Sequence, residues 1–363
     1  MTTKSPIKLP APVFDDPRHH IRLYQGDSLQ LLALLPESSV DLIFADPPYF
    51  LSNGGITCHA GKMVSVNKGA WDKSQGPEAN HQFNRSWLAA CQRLLKPNGS
   101  LWVSGTAHVI HSVGFAMQQL GFKLLNDISW VKPNPPPNFS CRYFTHSTET
   151  IIWAARDKKS RHTFNYKLMK ETNRGKQMKS VWEIKPPESR EKRFGKHPTQ
   201  KPVALLERIL LASSNEGDLV LDPFSGSGTT AIAAFRTRRT AVALELSYDY
   251  LTLTVQRLSS ELVQVALSLT TIQFSLDPVS DPVDRSDRAS ERQSRAQPLP
   301  MSIELKLVQQ ECRFHFIGRH NRAVIFSVLA PTLDDALQQF RSHGHSDSDA
   351  LFIIKTETQI FLA

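Results

Sequence analysis

Residues 20–49 read HIRLYQGDSLQLLALLPESSVDLIFADPPY. A short strand at 22–24, a turn at Gly26-Asp27, helical apolar spacing over 28–35 and an unbroken apolar strand at 40–45 make a strand-helix-strand unit. The pattern continues outward. Phe83 to Leu95 has helical spacing and stops at Lys96-Pro97-Asn98-Gly99, after which SLWVSG (100–105) reads as a strand. A helix over 109–120, a strand over 123–131, the proline-rich VKPNPPPNFSCRYFTH (131–146) and a strand TIIWAA (150–155) follow. Alternation resumes at Pro202, a good first helical residue, with helix VALLERILLAS (203–213), strand DLVLDPF (218–224), helix GSGTTAIAAFRT (226–237), strand TAVALEL (240–246) and a helix over 248–262. Such alternation predicts an α/β fold, a parallel sheet with helices on both faces.

Residues 277–300, DPVSDPVDRSDRASERQSRAQPLP, have almost no large apolar side chains and read as a linker. Beyond it SIELKLV, CRFHFIG, AVIFSVL, a helix near LDDALQQF, LFIIK and QIFLA predict a small α+β domain over 301–363.

The chain has 363 residues and a formal charge of +9. Between Arg156 and Lys201 lie fifteen Lys/Arg and five Asp/Glu, a net of +10, against 28 basic and 29 acidic residues elsewhere. The whole excess therefore sits in one polar, poorly periodic stretch, expected to be loops and short helices beside the sheet. Its interleaved Phe164, Tyr166, Trp182 and Phe194 suit phosphates and exposed bases better than plain solvation. Four scattered cysteines, Cys58, Cys91, Cys141 and Cys312, without a CxxC pair suggest neither disulfides nor a metal site. No run of about eighteen apolar residues and no secretory leader are present, so the expectation is a soluble, cytoplasmic protein with no membrane partner.

Two motifs carry chemistry. In open α/β sheets ligands sit beyond the carboxyl ends of the strands, and VDLIFA delivers Asp46-Pro47-Pro48-Tyr49 there. The prolines stiffen the loop, Asp46 and the Pro47 carbonyl can accept two hydrogen bonds from one amino group, and Tyr49 can stack on a flat ring. A planar heterocycle with an exocyclic NH2 fits. The alternative is an ordinary turn. In LVLDPFSGSGTTA (219–231), Gly226 and Gly228 let the backbone approach a ligand, and Glu245 ends the next strand, where a carboxylate can take ribose hydroxyls. The third glycine of a dinucleotide fingerprint and the Gly-Lys-Ser/Thr of a P-loop are absent. That leaves a nucleoside cofactor without a pyrophosphate, such as S-adenosyl-L-methionine.

DPPY first, a basic segment, then HPTQKP (197–202) and DPFSGSGTT (222–230) resembles the permuted motif order of beta-class amino DNA methyltransferases. FADPPYFLSNGGI, KGAWDKS, SCRYFTHSTETI and GKHPTQKP resemble DpnA-type adenine methyltransferases of GATC systems, and more loosely the MboII and HinfI types. Phe50 after the tyrosine departs from many relatives but is shared with the DpnA type. The resemblance covers about Leu23 to Arg257; the tail from about 270 has no counterpart.

It implies a Rossmann-like S-adenosylmethionine-dependent methyltransferase sheet in circularly permuted order, with a methyltransferase domain over 1–270 and a target-recognition segment over 156–196. The reaction that the resemblance implies is methyl transfer to adenine N6; the alternatives are cytosine N4 methylation, where Ser usually stands in place of Asp46, and a catalytically silent DNA-binding protein. Asp46, Pro47, Pro48 and Tyr49 would be catalytic, on a base flipped out of the duplex. The resemblance places Phe224 and Gly226 beside the methionine portion and Glu245 on the ribose. Thr199 and Lys201 would close over the methionine end, with Asp46, Asp222 and Gly228 also in the cofactor set. Asp27 is assigned either to the adenine amine or to capping the helix at 28–35. His197 would be a supporting hydrogen-bond partner rather than a contact. Arg142, Tyr143 and Phe144 would lie near the flipped base, and Lys167, Arg174, Lys176 and Lys179 on DNA phosphates. The partners implied are double-stranded DNA, single-stranded DNA as a further candidate, a second copy of the chain and a cognate restriction endonuclease.

Overall fold

The computed structural model describes residues 9–52, 56–59, 62–65, 72–138, 141–274, 307–318, 324–330, 333–343, 346 and 350–362. The chain divides into two compact units, 1–258 and 259–363. The first is built on a nine-stranded sheet. In chain order its strands are β1 (Phe14–Asp16), β2 (Ile21–Gln25), β3 (Val40–Ala45), β6 (Leu95–Gly105), β7 (Lys123–Val131), β8 (Thr148–Ala155), β9 (Val181–Glu183), β10 (Leu219–Asp222) and β11 (Thr240–Glu245). A separate hairpin comprises β4 (Ile56–His59) and β5 (Lys62–Ser65), which the sequence reading did not anticipate.

Spatial order is β1-β2-β11-β10-β3-β6-β8-β7-β9. Strands β2, β11, β10, β3 and β6 run parallel, whereas β8 is antiparallel to both β6 and β7, and β1 is antiparallel to β2. The sheet is thus mixed, which corrects the expectation of a parallel sheet. Among the described residues of the loop 132–147 between β7 and β8 there is no crossover helix, in keeping with the antiparallel pairing of those strands.

The helices α1 (Ser28–Leu34), α2 (Pro77–Leu94) and α3 (Ile110–Leu120) cover one face. Leu31, Leu32, Trp87, Leu88, Cys91, Val113 and Met117 form one buried cluster there with Leu101 and Val103 of β6. The alternate residues of β6 face the other side, where Trp102 donates to Ser213 Oγ at 2.9 Å, at the end of α5 (Val203–Ser213). Trp102 stacks on its cross-strand partner Trp153 at 4.7 Å between centroids. That face also holds α6 (Thr229–Arg236), while α7 (Tyr248–Phe274) runs beyond the expected 262.

Lys96 to Gly99, read as a turn, lies inside β6; the register slips between Val40↔Leu95 and Leu42↔Ser100, so these residues bulge out of the ladder. The basic segment contains α4 (Tyr166–Thr172) and a 3-10 turn (Ser189–Lys192), as expected of short helices. Strand β9 was not expected; it adds to the sheet parallel to β7, with Trp182 buried opposite Trp130. Three residues are too few to show a period of two.

The second unit has β12 (Leu307–Gly318), β13 (Val324–Ala330), α8 (Leu333–Ser342) and β14 (Ala350–Leu362), in an antiparallel sheet ordered β13-β12-β14. LFIIK and QIFLA are one strand, because β14 pairs with β12 along nearly its whole length and register shifts absorb the polar KTET between them. The linker assigned to 277–300 lies outside the described residues.

Candidate active site

The two motifs are far apart in sequence and adjacent in the sheet: β3 pairs with β10 through Leu42↔Val220 and Ile43↔Leu221. Both strands end in a carboxylate and a proline at the same edge, Asp46-Pro47 and Asp222-Pro223. A cavity of about 270 Å³ opens there. Asp46, Pro47, Pro48 and Tyr49 form one wall, Phe224 and Gly226 another, and Asp27, Glu245, His197, Thr199 and Tyr250 complete it.

Asp46 is the hub of a hydrogen-bonded network. Its Oδ1 accepts from Tyr49 Oη at 2.6 Å and Ser104 Oγ at 2.5 Å, and its Oδ2 accepts from Lys201 Nζ at 2.6 Å. Lys201 is only 5% exposed and also lies 3.5 Å from Glu149 Oε2. Glu149 Oε2 accepts from Tyr49 Oη at 3.3 Å, and its Oε1 takes Lys132 Nζ at 2.5 Å. Two carboxylates thus face two ammonium groups. Burial pushes the Glu149 carboxyl up, but Lys201 and Lys132 outweigh it and hold it down at about 2. Burial likewise disfavours the Lys201 ammonium, yet Asp46 and Glu149 prevail and raise it above the ordinary lysine value. Burial, then Asp46 and Glu149, drive the Tyr49 phenol well above its usual range, so it stays protonated and can donate.

The loop is fixed from behind. Asp72, fully buried, accepts at Oδ1 from Tyr49 N at 2.9 Å and Phe50 N at 2.8 Å, and at Oδ2 from Leu51 N at 3.2 Å and Ser52 Oγ at 2.8 Å. These contacts hold Phe50 at φ 57°, an unusual value for a non-glycine residue. Asp72 belongs to KGAWDKS (68–74).

The glycine turn is built around Glu245. Its Oε2 accepts from Gly226 N and its Oε1 from Ser247 N, each at 2.8 Å, and each oxygen keeps a lone pair for a ligand hydroxyl. Burial lifts its carboxyl, and the backbone donors offset part of that. Gly226 has φ +51°, and a Cβ there would stand 3.0 Å from His197 Nε2, so the cavity wall requires glycine. Asp222 is buried behind this turn, accepting from Phe224 N at 2.9 Å and Thr230 Oγ1 at 2.5 Å, with burial raising its carboxyl to about 7.

The expected site residues are therefore placed unequally. Asp27, Asp46, Pro47, Pro48, Tyr49, Thr199, Phe224, Gly226 and Glu245 line the cavity. Asp27 also caps α1, accepting from Gln30 N at 3.1 Å, which is the capping alternative read from the sequence. Lys201 is directed at Asp46 and lines a smaller adjoining pocket with Asp222. Gly228 opens α6 at φ +72°, where a Cβ would stand 2.1 Å from Thr254 Cγ2; it serves close packing of α6 on α7. Arg142, Tyr143 and Phe144 are exposed, Phe144 at 95%, on the loop between β7 and β8. Lys167, Arg174, Lys176 and Lys179 are exposed on the basic segment. Ser104, Lys132, Glu149, Asp72 and Tyr250 were missed. Among the described residues no group of three or more His, Cys, Asp or Glu could hold a metal ion. No helix among them is long and apolar enough to cross a membrane.

The fold is a Rossmann-like α/β sheet with its cavity at the carboxyl ends of β3 and β10. The family described as DNA methylase matches residues 40–256, and the chain belongs to it. The Type II methyltransferase M2.DpnII of Streptococcus pneumoniae is 55% identical over 240 residues, 66% of this chain and 90% of the relative. M2.LlaDCHI of Lactococcus lactis subsp. cremoris is 56% identical over 238 residues, 65% of this chain and 88% of its own. M2.MboI of Moraxella bovis is 49% identical over 246 residues, 68% and 90%. Among solved structures, the M1.HpyAVI–SAM complex aligns with TM-score 0.50 and 28% identity, over 66% of this chain and 98% of that one. The PvuII cytosine-N4-specific DNA methyltransferase shares the fold, with TM-score 0.55 at 22% identity over 68% and 88%.

Proposed function

We propose that this DNA methylase transfers a methyl group from S-adenosyl-L-methionine to the N6 amino group of adenine in DNA, at GATC, as the modification arm of a type II restriction system. The observation that carries the reading is the Asp46 carboxylate of DPPY, aimed by three donors at the edge of a cavity that also presents Glu245 and Gly226.

The residues fit the cofactor. Gly226 leaves room where any Cβ would meet His197, Glu245 retains acceptor capacity for ribose hydroxyls, and Phe224 gives an apolar wall. When bound, S-adenosyl-L-methionine supplies an electrophilic methyl on a sulfonium centre and leaves as S-adenosyl-L-homocysteine.

The chain's own residues act on the amine. An adenine N6 lone pair is conjugated with its ring; accepting its N–H bonds at Asp46 and the Pro47 carbonyl draws the nitrogen toward sp3 geometry and frees that pair. As the new C–N bond forms, the amine becomes cationic, and Asp46 stabilises that charge and accepts the departing proton. Tyr49 stacks on the base. No covalent enzyme intermediate is needed, so the rate comes from positioning and electrostatics. Arg142, Tyr143 and Phe144 meet the flipped nucleotide, and Lys167, Arg174, Lys176 and Lys179 meet phosphates. A cognate endonuclease and a second copy of the chain belong to the proposed setting, which is the cytoplasm of a bacterium.

The test is transfer of labelled methyl to oligonucleotides followed by nucleoside analysis. N6-methyladenine supports the reading; N4-methylcytosine would replace it within the same chemistry.

A further inference from the structure

Asp46 must accept a hydrogen bond from the substrate amine, yet its Oδ1 already accepts from Tyr49 Oη at 2.6 Å and from Ser104 Oγ at 2.5 Å. Tyr49 has a second acceptor within reach, Glu149 Oε2 at 3.3 Å. The same Glu149 oxygen stands 3.5 Å from Lys201 Nζ, the donor to Asp46 Oδ2. Asp46 and Glu149 therefore share two partners, Tyr49 and Lys201, although Asp46 follows β3 and Glu149 lies in β8, strands that are not neighbours in the sheet.

We infer that Glu149 is a positioning residue that receives the Tyr49 hydroxyl when the amine arrives, releasing Asp46 Oδ1 for it; this rests on the amine-methylation reading above. The exchange keeps every buried donor satisfied: the amine takes the place of Tyr49 on Asp46, and Tyr49 shortens its contact to Glu149. Charge is also apportioned. With Glu149 present the Lys201 ammonium is divided between two carboxylates, and Lys132 neutralises the far oxygen of Glu149. Without it, the full charge of Lys201 would fall on Asp46 and compete with the amine. Lys132 and Glu149 also form the base of the loop that bears Arg142, Tyr143 and Phe144, so the receiving carboxylate is anchored where DNA would be met.

The experiment is steady-state methyl transfer by the full chain, with labelled S-adenosyl-L-methionine and a GATC duplex, for Glu149→Gln, Glu149→Asp, Tyr49→Phe and the Tyr49→Phe/Glu149→Gln pair. Losing a charged hydrogen-bond acceptor predicts about a ten- to hundredfold fall in kcat for Glu149→Gln, with both KM values within about twofold. Glu149→Asp recovers part of the rate. In the Tyr49→Phe background the Glu149→Gln substitution costs less than about threefold, because the hydroxyl it would receive is gone. Should Glu149→Gln fail to fold, Glu149→Gln/Lys132→Met restores the charge balance and carries the same expectations. An equal loss in both backgrounds, a change confined to KM, or an unaltered kcat overturns the inference. Absence of transfer by the wild type removes the underlying reading, and the inference with it.

Discussion

Lys201 Nζ lies 2.6 Å from Asp46 Oδ2 across 155 residues of sequence, and both side chains are largely withdrawn from water. Each therefore depends on the other. Removing one partner of a buried pair strands a charge at a cost of about 3–5 kcal/mol. Lys201→Met should lower the urea midpoint accordingly and abolish turnover, whereas an exposed lysine such as Lys176→Met should leave the midpoint unchanged. A Lys201→Met protein of wild-type stability would contradict the buried-pair geometry.

Asp72 tests whether the loop must be held from behind. Asp72→Asn keeps one carbonyl oxygen for the Tyr49 and Phe50 amides, but Asp72→Ala removes this acceptor from both and from the Leu51 amide as well. Each hydrogen bond to a charged acceptor contributes about 1.5–3 kcal/mol. Hydrogen exchange at residues 49–52 should accelerate strongly in Asp72→Ala and only slightly in Asp72→Asn, with kcat/KM following the same order.

Asp222 gives a pH dependence of definite sign. Its folded carboxyl, raised by burial to about 7, binds a proton that the unfolded chain releases near the ordinary value of 3.8. The stability it contributes is thus full below about pH 3.8 and is lost as pH rises through about 7. Asp222→Asn has no such loss, so its Tm relative to wild type should rise steadily between pH 4 and 7. Glu149 acts oppositely: with a folded value of about 2 against 4.5, its contribution is present above pH 4.5 and disappears only as pH falls toward 2. A Tm difference for Asp222→Asn that is flat with pH would contradict the buried, proton-binding assignment.

The two glycines of the turn should separate binding from stability. Gly228→Ala drives a Cβ to 2.1 Å from Thr254 Cγ2 at φ +72°, predicting a loss of about 2–4 kcal/mol from overpacking and backbone strain. Gly226→Ala takes on the strain of φ +51°, meets the His197 ring at 3.0 Å and narrows the cavity. It should weaken S-adenosyl-L-methionine binding in calorimetry more than it lowers Tm.

DNA affinity should fall steeply with salt, and each of Lys167, Arg174, Lys176 and Lys179 that meets a phosphate should reduce the log–log salt slope by about one when replaced by alanine. A residue whose removal leaves the slope unchanged is a solvated charge.

Much of this was legible in the sequence. DPPY and the glycine turn announce themselves because each is a strand terminus with local chemistry, and the strands and helices around them follow hydrophobic period. Ser104, Glu149 and Lys132 were invisible because their role comes from register: nothing local to TETIIWAA says that Glu149 will face Lys201. Asp72 was hidden for a related reason, since it satisfies backbone amides more than twenty residues away. Lys201 illustrates the limit of motif reasoning. HPTQKP placed it at the site, but only the fold shows that its ammonium is directed at Asp46 rather than into the main cavity.

The central claim is tested most directly by incubating the full chain with labelled S-adenosyl-L-methionine and unmethylated oligonucleotides, duplex and single-stranded, bearing GATC or a scrambled site, alongside Asp46→Ala. Label recovered as N6-methyladenine from GATC alone, and lost in Asp46→Ala, is the predicted result. Label in N4-methylcytosine, or transfer that survives Asp46→Ala, would contradict the account.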